Sequence, residues 1–121
     1  MTWTSLIIAI VVLSILLVVK RGPRISIKTA ATYLHRGALL IDVRSAGEFT
    51  AGHLPNSINI PLSEIETIID RKTSDKQQVL LLHCQTGTRS AEALKKLTTL
   101  GYVHAFDLGS YGRAAKIFGS R

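Results

Sequence analysis

The sequence predicts a small α/β domain: an open parallel sheet of four to five strands with helices on both faces, preceded by one transmembrane helix. Three observations predict it. Short apolar runs such as 38–43 and 79–83 alternate with longer stretches of helical composition, the pattern of parallel strands joined by crossover helices. Up to Ile41 and Leu82 those runs are apolar at successive positions rather than at every second one, as strands covered on both faces are. Finally, Thr2 to Val19 carries no charge and Leu6 to Val19 is apolar except for Ser14. Eighteen helical residues span ~27 Å, close to the ~30 Å hydrocarbon thickness of a bilayer.

The N-terminal stretch, residues 1–19, is therefore expected to span a membrane. It shows no polar face that would suit a buried core helix, and Trp3 near one end suits a headgroup region. A cleavable signal peptide fits less well, because Met1 to Ser5 hold no Lys or Arg and the far end lacks a small-residue cleavage site. Lys20, Arg21, Arg24 and Lys28 follow the span while no basic side chain precedes it. Positive charge marks the cytoplasmic side. The expected placement is a single-pass protein of the cell inner or plasma membrane, with lipid as a partner of residues 2–19 and a cytoplasmic C-terminal domain. The single cysteine accords with that compartment, since it forms no internal disulfide. The net charge is +7. Its basic residues are scattered without interleaved aromatics, so nucleic acid is not expected as a partner.

Residues 20–24, Lys-Arg-Gly-Pro-Arg, read as a basic linker, because Pro23 cannot continue a helix. The domain follows over 25–121. Ser26 to Arg36 is predicted as a helix closed by Gly37. Ala38 to Val43 is a strand carrying Asp42 at its end. Ser45 to Thr50 is a short helix or turn, and 52–56 a loop. Ser57 to Ile60 is a strand stopped by Pro61. Leu62 to Arg71 is a helix with Ile65, Ile68 and Ile69 inward, capped by Ser63 or a neighbour. Val79 to His83 is a strand, Ser90 to Leu100 a helix with Gly101 past its end, and Val103 to Leu108 a strand. Arg113 to Phe118 reads as a terminal helix.

Chemistry concentrates at Cys84. Parallel sheets bind ligands beyond the carboxyl ends of their strands, and Cys84 stands at such an end, just before a helix N-terminus. Unpartnered helix amides and their partial positive charge favour thiolate over thiol. Gly87 permits a turn that points successive N–H groups inward around an anion. Thr86 and Thr88 add hydroxyl donors, Arg89 can reach the anion or brace the loop, and Ser90 can cap the helix. A merely buried cysteine is the alternative, but a core position does not call for a glycine, two threonines and an arginine directly after it.

Cys84-Gln85-Thr86-Gly87-Thr88-Arg89-Ser90 resembles the active-site loop of the rhodanese family. The stretch from Leu40 to Pro61, with Ile41-Asp42-Val43-Arg44, Glu48-Phe49, Gly52-His53-Leu54 and Asn59-Ile60-Pro61, is similar to that family's upstream signature. The resemblance runs from about Ile25 to Leu108. It implies sulfur transfer, in which Cys84 takes the outer sulfur of thiosulfate or a similar small sulfur-containing anion. The resulting persulfide passes it to a thiophilic acceptor such as a protein thiol. It further implies that the amides from Gln85 to Arg89 hold the persulfide charge, and that Gln85 to Ser90 form the substrate-binding loop. No cofactor is implied. Cysteine phosphatases place five residues between Cys and Arg, whereas four stand here. The sequence departs from the family in having Gln85 where Arg is frequent, and Gly109-Ser110-Tyr111-Gly112 where a Gly-Gly pair and a Trp are usual. A binding module or a redox relay without turnover is the other reading of such a domain.

Asp42, Arg44, Glu48 and His53 are expected to brace the site: Asp42 with Arg44 as an ion pair, Glu48 and His53 as hydrogen-bond partners of the loop. His83 precedes Cys84 and on a strand points to the opposite face, so it reads as a satisfied polar residue rather than a base. His35 and His104 show no ligand spacing with Cys84, and no metal is expected.

Overall fold

A computed structural model describes residues 2–20 and 25–119, residues 17–20 through their backbone alone. Residues 21–24 of the expected linker lie outside the described residues, while Lys20 ends the first helix. The domain has four parallel strands, β1 (Leu39–Asp42), β2 (Ile58–Asn59), β3 (Leu80–His83) and β4 (Ala105–Gly109), in the order β2-β1-β3-β4. The helices are α1 (Trp3–Lys20), α2 (Ile27–His35), α3 (Ala46–Ala51), α4 (Ile65–Lys72), α5 (Thr88–Thr99) and α6 (Tyr111–Gly119).

Strand alternation divides the core in two. Ile41, Leu80 and Leu82 face one side, where Ile65 and Ile69 of α4 and Ala93 and Leu97 of α5 meet them; Cys84 belongs to this cluster. Leu40, Leu81 and Leu108 face the other, against Ala30 of α2 and Ala114 and Ile117 of α6. Both faces of the sheet are covered by helices, which explains the apolar runs. Each fully buried Leu or Ile contributes ~1.5–3 kcal/mol.

Local signals set the element ends. Ser26 caps α2 by accepting from the Thr29 amide at 3.1 Å. A capping box joins Ser45 and Glu48 at the start of α3. Gly101 takes φ +97 after the end of α5, the left-handed geometry that glycine reaches without strain. The expected helix 62–71 divides into a 3₁₀ turn at Leu62–Glu64 and α4, and neither start carries a side-chain cap. Pro61 stands at the cap position of the turn, where its side chain offers no acceptor and its carbonyl accepts from the Glu64 amide at 2.8 Å. The expected strand 57–60 shrinks because Ser57 donates both its amide and its hydroxyl back to the Leu54 carbonyl, at 3.2 and 2.6 Å.

The membrane expectation is corrected. Among the described residues no helix is long and apolar enough to cross a membrane. The transmembrane helix over residues 1–19, lipid as a partner of residues 2–19, and the single-pass inner- or plasma-membrane placement drawn from them do not stand.

Candidate functional site

The loop that follows β3 doubles back on itself. Gly87 takes φ +101, which aims its amide at the cysteine: the N–H lies 2.9 Å from Cys84 Sγ. A Cβ at Gly87 would meet the Gly109 backbone at 3.5 Å, so the two chain segments run in contact. They are laced together by the Cys84 amide to the Gly109 carbonyl at 3.1 Å, the Tyr111 amide to the Gln85 carbonyl at 3.2 Å, and a bridge between Thr86 and Ser110. The β4–α6 junction thus holds the shape of the cysteine loop.

Helix α5 starts at Thr88 with Gly87 as its N-cap and no side-chain cap. Ser90 is free for another task. Its hydroxyl lies 3.6 Å from Cys84 Sγ, 3.1 Å from the Gly87 carbonyl and 3.4 Å from the Gly109 carbonyl. It can accept a hydrogen bond from the thiol, or donate its own hydrogen to a thiolate. Burial pushes the Cys84 thiol up. The Ser90 amide and hydroxyl and the Gly87 and Thr86 amides outweigh it and hold the thiol below its ordinary value. Gln85 and Arg89, also expected to lend amides, are not among these. The Thr86 and Thr88 side chains are exposed.

Both expected arginines are engaged. Arg44 forks onto Asp42 with Nη2 at 2.8 Å from Oδ2 and Nε at 3.0 Å from Oδ1, and both side chains are buried. The pair is therefore not the solvent-exposed kind worth little. Arg44 also donates to the Gly52 carbonyl at 2.7 Å and to Gln85 Oε1 at 3.3 Å, and its guanidinium lies 4.7 Å from the centre of the Tyr111 ring. Arg89 grips Glu48 through two bonds, at 2.5 and 3.0 Å. That grip, with the Ser45 amide, lowers the Glu48 carboxyl to about 2. His53 stacks on Phe49 at 3.8 Å and pairs through Nδ1 with the Phe49 carbonyl. It shapes the end of α3 and is not brought to the cysteine.

Three residues at the site escaped the sequence reading. Tyr111 walls a recess of about 260 Å³ with Arg44, Glu48, Ala51, Gly52 and Gln85. Asn59 donates to the Asp42 and Arg44 carbonyls at 3.0 and 2.9 Å. Asp107 accepts from the Gly109 amide at 2.7 Å. Tyr111 stood in the stretch flagged as divergent from the family, but its contact with Arg44 joins distant parts of the chain. His83 is not the satisfied polar residue expected: its Nε2 is buried without a hydrogen-bond partner among the described residues.

The profile of the rhodanese-like domain matches residues 26–112. The thiosulfate:glutathione sulfurtransferase of Homo sapiens is 32% identical over 97 residues, covering 69% of this chain and 84% of that protein. Thiosulfate sulfurtransferase PspE of Escherichia coli is 33% identical over 69 residues, covering 57% of this chain and 66% of its own. The adenylyltransferase and sulfurtransferase uba4 of Ogataea parapolymorpha is 32% identical over 91 residues; the overlap takes in 75% of this chain but only 23% of that longer protein. In structure, the human single-domain sulfurtransferase TSTD1 superposes with a TM-score of 0.65 at 28% identity, over 83% of this chain and 97% of that one.

Proposed function

Because the chain belongs to the rhodanese-like domain family, we propose that it is a sulfurtransferase in which Cys84 accepts a sulfane sulfur from thiosulfate or a similar donor and passes it to a thiophilic acceptor. The observation that carries this reading is the Gly87 amide 2.9 Å from Cys84 Sγ, inside a loop whose donors favour the thiolate. The thiolate attacks the outer sulfur of the donor, and the donor's sulfur–sulfur bond breaks with its electron pair leaving on the remainder. Cys84 then carries the extra sulfur as a persulfide. The amides of Thr86, Gly87 and Ser90, which favour the thiolate, stabilise the persulfide's charge as well, and a fixed donor of this kind is worth ~2.7–4 kcal/mol of barrier. The acceptor's attack on the outer sulfur restores the thiolate, a two-step cycle through a covalent intermediate. The family relatives named above as sulfurtransferases support the same reaction class.

Cys84 has no exposed surface, so side chains of the loop move aside when a donor arrives. The test is intact mass after incubation with sulfur donors. One added sulfur, lost in Cys84→Ser, is the expected result. No gain with thiosulfate or with persulfide donors would reduce the site to a binding fold.

A further inference from the structure

We infer that the donor this site selects is a persulfide carried on a thiol, R–S–SH, in preference to a dianion such as thiosulfate, and that Gln85 sets the choice. The inference rests on the sulfurtransferase reading and narrows its donor.

Charge at the recess carries it. The two guanidiniums nearest the loop are already matched: Arg44 by Asp42 and Arg89 by Glu48, each through two or more hydrogen bonds. Among the described residues lining the recess, Arg44 is the basic one and Glu48 an acidic one. Arg113, on the helix that holds Tyr111, turns its guanidinium to the carbonyls of Leu108 and Ile25, at 2.9 and 2.7 Å. The amides around Sγ can hold one negative charge, and the cysteine thiolate itself supplies that charge.

The two donors make different demands. With thiosulfate, Cys84–S⁻ and a dianion meet, the inner sulfur–sulfur bond breaks, sulfite leaves, and Cys84–S–S⁻ remains. Three negative charges share the site throughout. With a persulfide, Cys84–S⁻ attacks the outer sulfur of R–S–SH; that sulfur keeps its hydrogen, and R–S⁻ leaves with the electron pair. One negative charge is present throughout. A site whose arginines are neutralised tolerates the second and resists the first.

Gln85 follows the nucleophile in the chain and lines the recess. Its carbonyl accepts from Arg44 at 3.3 Å, which leaves its amide group to offer uncharged N–H donors. Those suit the polar remainder of a thiol-borne donor and add no charge to balance a dianion.

The test measures the rate at which Cys84 gains one sulfur in the full chain, by intact mass, with sodium thiosulfate and with cysteine persulfide generated in solution. Gln85→Arg adds a cation at the recess. Glu48→Gln releases Arg89 while keeping a side chain able to close the capping box. We expect the wild type to load faster from cysteine persulfide, and each variant to raise the ratio of thiosulfate to persulfide rates by about tenfold, the scale of one added charge at this range. Faster loading from thiosulfate in the wild type, or an unchanged ratio in both variants, overturns the inference and leaves sulfur transfer standing. Loading from neither donor overturns sulfur transfer itself.

Discussion

Arg44 closes its guanidinium on Asp42, only two residues away, with hydrogen bonds of 2.8 and 3.0 Å and almost no contact with water. The same guanidinium reaches Gly52, Gln85 and Tyr111. One buried ion pair thus joins the end of β1, the turn after α3, the cysteine loop and the start of α6.

Removing one partner of that pair leaves a charge buried without its counter-charge, which typically costs ~3–5 kcal/mol. Arg44→Met is expected to lower stability by about that amount, measured by urea unfolding. Arg44→Lys recovers only part of it, because a single ammonium cannot serve both Asp42 oxygens and the Gly52 and Gln85 acceptors together. Equal stability of Arg44→Met and the wild type would show that the pair is not the brace described.

The Arg89–Glu48 pair lies nearer the surface and acts through acid. Hydrogen bonds from Arg89 and Ser45 hold the Glu48 carboxyl at about 2, below its ordinary 4.5. A depressed folded value means this group's stabilisation is complete above about 4.5 and is lost as pH falls through about 2. Carboxyl NMR titration should place the Glu48 midpoint near 2 and move it upward in Arg89→Gln. An unmoved midpoint would assign the shift to the capping box alone.

Much of this was legible in the chain, for local reasons. Apolar runs marked β1 and β3, and Gly37 and Gly101 marked helix ends. Cys84 was placed at a strand-to-helix turn because β3 and α5 are neighbours in sequence. What could not be read depends on residues far apart. Tyr111 comes to Arg44 only because the start of α6 is tied to the cysteine loop through the Gln85 carbonyl, and Asn59 reaches the Asp42 carbonyl only across the β1–β2 pair. The role of Ser90 was misread for a subtler reason. The helix begins at Thr88, two residues early, because Gly87 takes the cap position in a left-handed conformation, and the serine hydroxyl is turned toward sulfur. At the N-terminus, hydropathy alone favoured a membrane span that the described helix does not support.

Ser90 offers a direct test of the loop's electrostatics. Its hydroxyl and amide are the largest of the influences that lower the Cys84 thiol against burial. Ser90→Ala removes the hydroxyl and keeps the amide. The pH midpoint for alkylation of Cys84 by iodoacetamide should rise, and sulfur loading at neutral pH should slow by about tenfold, equivalent to ~1.4 kcal/mol. A midpoint that stays put would mean the amides alone set the acidity.

His83 makes the last prediction. It is fully buried, with Nδ1 3.4 Å from the Cys84 carbonyl and its ring edge-on to Tyr111 at 5.7 Å. Nε2 lies 3.8 Å from Asp42 Oδ2, too far for a hydrogen bond, and finds no other partner among the described residues. Burial drives the imidazole toward its neutral form; Asp42 and the Cys84 carbonyl pull the other way, Arg44 adds to the burial, and the net shift is downward. The folded value therefore lies below the ordinary ~6.5. Above ~6.5 neither state binds this proton; below it the unfolded chain gains a proton that the folded chain refuses, and stability falls. One such group changes stability by at most ~1.4 kcal/mol per pH unit. Urea unfolding between pH 8 and pH 5.5 should show a decline below pH 6.5 that is shallower in His83→Leu, which also removes the unpartnered nitrogen from the core. Parallel declines in the two proteins would mean that His83 gains its proton as readily in the fold as in water, with Asp42 outweighing burial.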